Sequence, residues 1–411
     1  MSDTKNAKPS PDEDVSRIKE LLDKGMLNTI TVDTSIFDEK GRTLTKGMFS
    51  QLTQFGRHPA TLVISDVVLK EMNSHLVDQL KSAKAKFSPD LLVAWESLGL
   101  EKSHVQELLS ILKERPSLEE IAKGQFSEFL DESDAEILLA KDHVPMDDLL
   151  EMYFQRKPPF EESNVKKSEF PDAIALQTLE AWASKTGRNL IVVSKDKDWK
   201  NFCSKSELLH LVSDLATALE LLQTPDEVVK TMLRRVHDEL QDPGRYLHAA
   251  MTEFVEDIEW YEHIRLDADS QFQYEQDEIE VEEVSNILFP THLEDIKLTE
   301  LTAENITVTF RTQADVRFVA HFNFRKWDSL DREYLSMGSG KMELTAAFEF
   351  DIILILPIAN GAFNDITMDA EIDTVDMQVG EIEPDWMSSS NREDESPINI
   401  AAWQHTSSNH R

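Results

Sequence analysis

Leu190-Ile191-Val192-Val193-Ser194-Lys195-Asp196-Lys197-Asp198 is a short apolar run that ends in acid, and it has two counterparts upstream. Ile30-Thr31-Val32-Asp33 also closes on an acid. Ala60-Thr61-Leu62-Val63-Ile64-Ser65 leads into Asp66 to Leu80, where Val67, Val68, Met72 and Leu76 recur at helical spacing. A second helical stretch, Pro171 to Ser184, precedes the third run. Short β-branched runs alternating with amphipathic helices predict a parallel sheet in an α/β domain.

Working outward, residues 81–165 are nearly free of β-branched runs and are broken at Pro89, Pro116, Pro145 and Pro158-Pro159, which predicts a helical insertion on the sheet. Val15 to Lys24 and Glu207 to Leu222 read as amphipathic helices at either end of a domain spanning 15–222, preceded by a polar, disordered segment over 1–14. Residues 225–263 read as helical, with Val228, Val229, Met232, Leu233 and Val236 on one side and a break at Pro243-Gly244; residues 223–270 are taken as a helical linker. Beyond about residue 270 the period becomes two. Met342, Leu344, Ala346, Phe348, Phe350, Ile352, Leu354 and Leu356 alternate with mainly polar residues, as do Ile306, Val308 and Phe310, Val316 to Phe324, and Ile366 to Ile372. These predict half-buried antiparallel strands in a β-rich domain over 271–386, followed by a flexible tail over 387–411. Met337-Gly338-Ser339-Gly340 reads as a hairpin turn.

The 411 residues hold 42 basic and 78 acidic side chains, a net charge of -36. Residues 1–222 hold 28 basic and 38 acidic side chains, and residues 223–411 hold 14 and 40, so most of the excess lies in the second half. This balance argues against indiscriminate nucleic-acid binding, which needs Lys and Arg against phosphate. A single cysteine, Cys203, excludes an intramolecular disulfide and zinc-type Cys spacing, and fits a reducing compartment. No run reaches the roughly 20 apolar residues needed to cross a bilayer, so the expectation is a cytoplasmic protein with no membrane contact. Phosphate-loop and Gly-x-Ser-x-Gly signatures are absent.

The acids at the strand ends carry the chemistry. Asp33 ends the first run, Glu71 lies in the helix after the second, Asp196 and Asp198 follow the third, and Asp172, with Glu169 before it, opens the helix that leads into the third. In open α/β sheets ligands bind beyond the carboxyl ends of the strands, where residues distant in sequence converge. Hard oxygen donors favour Mg²⁺ or Mn²⁺, which activate water and steady the leaving oxygen in phosphodiester hydrolysis. Taken singly, each acid also suits a structural role: Asp33 as a helix cap, Asp172 in a helix's first turn, Glu71 on an exposed helix face, Asp196 and Asp198 in a turn.

The set Thr31-Val32-Asp33-Thr34-Ser35, Ile64 to Met72, Lys167-Ser168-Glu169-Phe170-Pro171-Asp172-Ala173 and Val193-Ser194-Lys195-Asp196-Lys197-Asp198 resembles a PIN domain, the metal-dependent nuclease fold, over about residues 28–220. It is similar to the bacterial branch with a Pro-Pro-Phe element, here Pro158-Pro159-Phe160, ahead of Glu-Phe-Pro-Asp-Ala. The resemblance implies a three-layer α/β domain that cleaves single-stranded RNA with Mg²⁺ or Mn²⁺. It makes Asp33, Glu71, Asp172 and Asp196 the catalytic, metal-binding acids, with Asp198 a further metal ligand and Glu169, Thr34 and Ser194 supporting them.

Lys195, Lys197 and Lys167 are candidate phosphate contacts, although surface lysines commonly serve only solubility. Trp199 reads as core. The β-rich half, with the acid-rich stretch Glu275 to Glu283, suits a protein partner or self-association, or simply a solvated strand edge that deters aggregation. Three functions follow: a nuclease; a nuclease restrained by its β half, as in stress or defence systems; and a non-catalytic binding or sensor module on a PIN-like scaffold.

Overall fold

A computed structural model describes residues 11–85, 116–155, 157, 160, 169–358, 363 and 365–387, with backbone only for residues 11–14 and 169. It divides into two compact units, Met1–Thr224 and Pro225–Arg411.

The first unit is built on a five-stranded parallel sheet of order β3-β2-β1-β4-β5, formed by β1 (Leu27–Val32), β2 (Thr61–Ser65), β3 (Glu136–Leu138), β4 (Asn189–Val193) and β5 (Leu209–Val212). Helices flank it: α1 (Pro11–Asp23), α2 (Thr34–Glu39), α3 (Gly47–Ser50), α4 (Asp66–Ala85), α5 (Leu118–Ser133), α6 (Met146–Gln155), α7 (Glu169–Thr186), α8 (Lys197–Cys203) and α9 (Leu215–Leu222). The α/β expectation therefore holds. Ile30, Val32, Leu62, Val63, Ile64 and every residue of β4 except Asn189 are almost fully buried, because strands covered on both faces have no solvent side to alternate with.

Two strands depart from the sequence reading. Glu136–Leu138 pairs with β2 inside the stretch expected to be wholly helical. Leu209–Val212 pairs with β4 where one helix was expected from Glu207, and α9 starts only at Leu215, capped by the Asp214 carboxylate. The first helix begins at Pro11, within the segment expected to be disordered. Pro158, Pro159, Lys167 and the expected tail beyond Met387 lie outside the described residues, as do residues 86–115 of the expected insertion.

The second unit carries an antiparallel sheet of order β11-β10-β9-β7, with β8 also paired to β9; its strands are β7 (Gln273–Leu288), β8 (Lys297–Leu301), β9 (Asn305–Asp328), β10 (Glu333–Pro357) and β11 (Thr367–Glu371). A separate parallel pair joins β6 (Ile264–Asp269) to β12 (Val375–Glu381). The two runs expected over 306–310 and 316–324 are one strand, because their buried positions keep the same parity across Thr312 and Ala314. Met337 to Gly340 is not a turn: it lies in β10 opposite Phe322 to Phe324, and the chain reverses between Asp328 and Glu333. Gly340 is needed there because a Cβ would stand 2.6 Å from the Glu383 carbonyl oxygen of the crossing chain.

Residues expected to act as a linker form α10 (Glu227–Gln241) and α11 (Tyr246–Glu256). Val229, Val236, Leu240, Leu247, Met251, Val255 and Trp260 share one buried cluster with Phe310, Phe318, Phe348 and Phe350 of the sheet. They are part of this unit's core, whereas Val228, expected on the apolar side, is 58% exposed. Among the described residues no helix is long and apolar enough to cross a membrane.

Candidate active site

β1 lies between β2 and β4, and Val32 pairs with Val193, so the carboxyl ends of β1 and β4 are level. The next residues, Asp33 and Ser194, are therefore neighbours: Ser194 Oγ donates to Asp33 Oδ2 at 2.8 Å, and the Asp33 amide donates to the Val193 carbonyl at 3.0 Å. Ser35 Oγ donates to the same Oδ2 at 2.6 Å. Asp33 precedes α2 but its side chain does not cap it. Asp33 is 4% exposed, and burial drives its carboxyl above the ordinary range; the bonds from Ser35 and Ser194 oppose this, and Asp196 adds to it.

Glu71 projects from α4, which starts directly after β2, and Thr34 Oγ1 donates to its Oε2 at 3.2 Å. Burial raises its carboxyl; the charges of Asp33 and Asp38 raise it further, while His75 opposes them.

Asp172 sits in the first turn of α7, where Trp199 Nε1 donates to its Oδ1 at 2.8 Å. Its carboxyl is pushed up to about 7, first by burial and then by Asp33, Asp196 and Glu71, against the pull of the indole bond. The start of α7 is fixed by an aromatic contact: the rings of Phe160 and Phe170 lie 5.0 Å apart, and Phe160 is buried with Leu149, Met152 and Ala173. Phe160 and Phe170, both upstream of Asp172, thus meet in space.

Asp196 is exposed and caps α8, its Oδ1 accepting from the amides of Asp198 at 2.6 Å and Trp199 at 3.4 Å, while its own amide donates to Ser194 Oγ at 3.0 Å. A capping role and a site role are compatible, since a cap uses one oxygen.

Asp33, Glu71, Asp172 and Asp196 thus stand at one edge of the sheet, each within electrostatic reach of others. Asp198 is half-buried, on the first turn of α8 beside them. Lys195 is exposed and forms an ion pair with Glu39 at 2.7 Å, and Lys197 is exposed. The Glu169 side chain and all of Lys167 lie outside the described residues.

Sequence reasoning missed the hydroxyl of Ser35, the role of Trp199 and the pair Asp38 and His75. Trp199 is fully buried, as a core reading requires, yet its indole nitrogen faces an acid. Its position three residues after the capping Asp196 is the one signal that could have found it.

Among the described residues no group of three or more His, Cys, Asp or Glu side chains is arrayed to hold a metal ion as it stands. The donor set nevertheless fits a hard cation. All four acids offer carboxylate oxygen, and one oxygen of Glu71, Asp172 and Asp196 is oriented by a protein donor. Orienting bonds of this kind are what hold first ligands in place in metal sites. Like charges spread until a cation neutralises them, which accounts for proximity without a closed array.

Residues 30–199 match a family model for the PIN domain. No curated protein and no solved structure matches the chain. PIN domains are generally nucleases and typically bind divalent metal ions. The matched stretch carries the end of β1 and all of β2, β3 and β4, with β5 just beyond it, so the similarity to the PIN domain falls on the parallel sheet of the first unit and its flanking helices.

Proposed function

We propose that the first unit is a metal-dependent endonuclease that hydrolyses phosphodiester bonds in single-stranded RNA. Asp33, Glu71, Asp172 and Asp196 would hold Mg²⁺ or Mn²⁺, with Asp198 a further candidate ligand. The observation that carries the reading is the gathering of Asp33, Glu71, Asp172 and Asp196 beyond the level ends of β1 and β4, where burial and like charge push the Asp172 carboxyl up to about 7. A group held that far from its ordinary value by burial and like charge, at the carboxyl edge of a parallel sheet, is a mark of a functional site.

When bound, the metal supplies Lewis-acid polarisation of the phosphate and an activated water. The chain's own groups do the rest. Ser35 and Ser194 orient Asp33, Thr34 orients Glu71, and Trp199 orients Asp172, so a cation would draw together acids that already have one oxygen held by a protein donor. Lys197, exposed beside the acids, would meet a substrate phosphate; Lys195 can do so only by exchanging its bond to Glu39. The acidity of the second unit keeps polyanions from binding there, so substrate contact falls to the first unit. A cytoplasmic place and a regulated role in stress or defence fit a nuclease with an appended unit.

The test is cleavage of a single-stranded RNA oligonucleotide with Mn²⁺ or Mg²⁺. Asp172→Asn should lower the rate by at least about 10²-fold, the scale of losing one preorganised electrostatic group. Equal cleavage by this variant would place the activity elsewhere.

A further inference from the structure

Helix α2 and the turn that follows it are joined to α4 by three hydrogen-bonded rungs: Thr34 to Glu71, Asp38 to His75, and the Gly41 carbonyl to Gln79. The spacing 71, 75, 79 is one helical face. The first rung belongs to the acid cluster, so the second stands one turn, about 5.4 Å, along the axis from it. Glu71 feels both members of that second rung.

His75 Nδ1 lies 2.8 Å from Asp38 Oδ1. An ionised carboxylate only accepts, so Nδ1 donates and Nε2 is left on the far side of the ring. Asp38 is fixed in turn by Arg42 Nε at 2.8 Å. The imidazole is about one-third exposed, so a substrate can reach it. The other described histidines of this unit are engaged elsewhere or lie away from the cluster: His210 is buried against Asn189, His58 Nδ1 accepts from the Ala60 amide, and His143 follows a 3-10 turn after β3.

Hydrolysis of a phosphodiester expels an alkoxide, which needs a proton. Carboxyl groups that hold a cation are ionised and cannot supply it. An imidazole can, since its ordinary pKa lies near neutrality.

We propose that His75, oriented by Asp38, is the proton donor to the departing ribose oxygen; this rests on the nuclease reading above. The water oxygen forms a new bond to phosphorus as the bond to the departing oxygen breaks. The proton on His75 Nε2 passes to that oxygen, which leaves as a hydroxyl. The proton lost by the water goes to solvent, and solvent returns one to His75.

The variant His75→Asn keeps an N–H that can reach Asp38, so it preserves a purely structural tie between α2 and α4. Two single-stranded RNA oligonucleotides are compared with Mn²⁺: one natural, and one with sulfur replacing the leaving oxygen of the bond the wild type cleaves. A thiolate needs no proton to leave. His75→Asn should lose about 10²- to 10⁴-fold on the oxygen substrate and lie within about tenfold of wild type on the sulfur substrate. Asp38→Asn should show the same pattern with a smaller loss. Equal losses on both substrates, or no loss on either, overturn the role of His75 and leave the nuclease reading intact. A wild type that cleaves no natural RNA overturns both.

Discussion

At the ends of β1 and β4 four carboxyl groups crowd one another, whereas along β7 a denser run of glutamates faces basic side chains across the strand boundary. Arg317 meets Glu282 at 2.6 Å and Glu283 at 2.9 Å, Arg325 meets Glu275 at 3.7 Å, and His321 meets Glu280 at 3.8 Å. On the next strand Arg311 reaches Asp351 at 3.2 Å. The second unit holds more acid in total, yet among the described residues the carboxyl groups that burial raises above their ordinary value, Asp33, Glu71 and Asp172, are in the first. Environment, not abundance, separates a site from a solvated surface. Acids on an exposed strand keep their hydration and find a neighbouring arginine; Asp33, Glu71 and Asp172, buried in whole or part at the sheet edge, lose much of the first and have one another for neighbours.

The sharpest way to break this contrast is the Asp172→Asn cleavage assay described above, with its loss of at least about 10²-fold. Acid should act next, through His210, which is 7% exposed and whose imidazole is pushed down to about 4 by burial and then by Arg17. Its ordinary value is 6.5, so between 6.5 and 4 the unfolded chain binds more protons and folding weakens as pH falls. The first unit should lose up to roughly 3 kcal/mol across that window. Thermal melts of His210→Gln should show a flatter dependence; an unchanged slope would rule out this source.

The Asp172 effect has the opposite sign. With a folded value of about 7 against an ordinary 3.8, the folded form binds more protons in that window. In chelator, stability present below pH 4 is lost as pH rises toward 7, by roughly 2 kcal/mol once partial exposure is allowed for. Added Mn²⁺ should abolish the loss and release protons, measurable in weakly buffered solution. No proton release would separate Asp172 from the metal. The smallest effect belongs to the second unit: Arg317→Ala should leave the melting temperature within experimental scatter, because exposed pairs contribute little. A large drop would mean that the cross-strand ladder holds this sheet together.

Much of this was legible in the sequence where physics is local. The runs that became β1, β2 and β4 are β-branched and bounded by helix signals, and the even-numbered apolar residues of β10 announce a one-sided sheet. Glu136-Ile137-Leu138 and Leu209-His210-Leu211-Val212 were not legible, because short parallel strands with a single β-branched residue each are specified by the strand they join. The acids could be placed by their position after strands. Their hydroxyl and indole partners could not, since Ser194 reaches Asp33 across 161 positions and Trp199 reaches Asp172 across 27. The pairing of Asp38 with His75 likewise exists only once α2 lies along α4.

The level ends of β1 and β4 also set an order of events during synthesis. A ribosome must extend the chain past Val193 before Val32 acquires its partner on that side, and past Trp199 before Asp172 acquires its indole. Until then the carboxyl groups belong to separate segments and do not gather. β9 and β10, joined by a short reversal, can zip as soon as both have emerged. In a nascent chain the acid cluster therefore assembles only when nearly all of the first unit has left the exit tunnel.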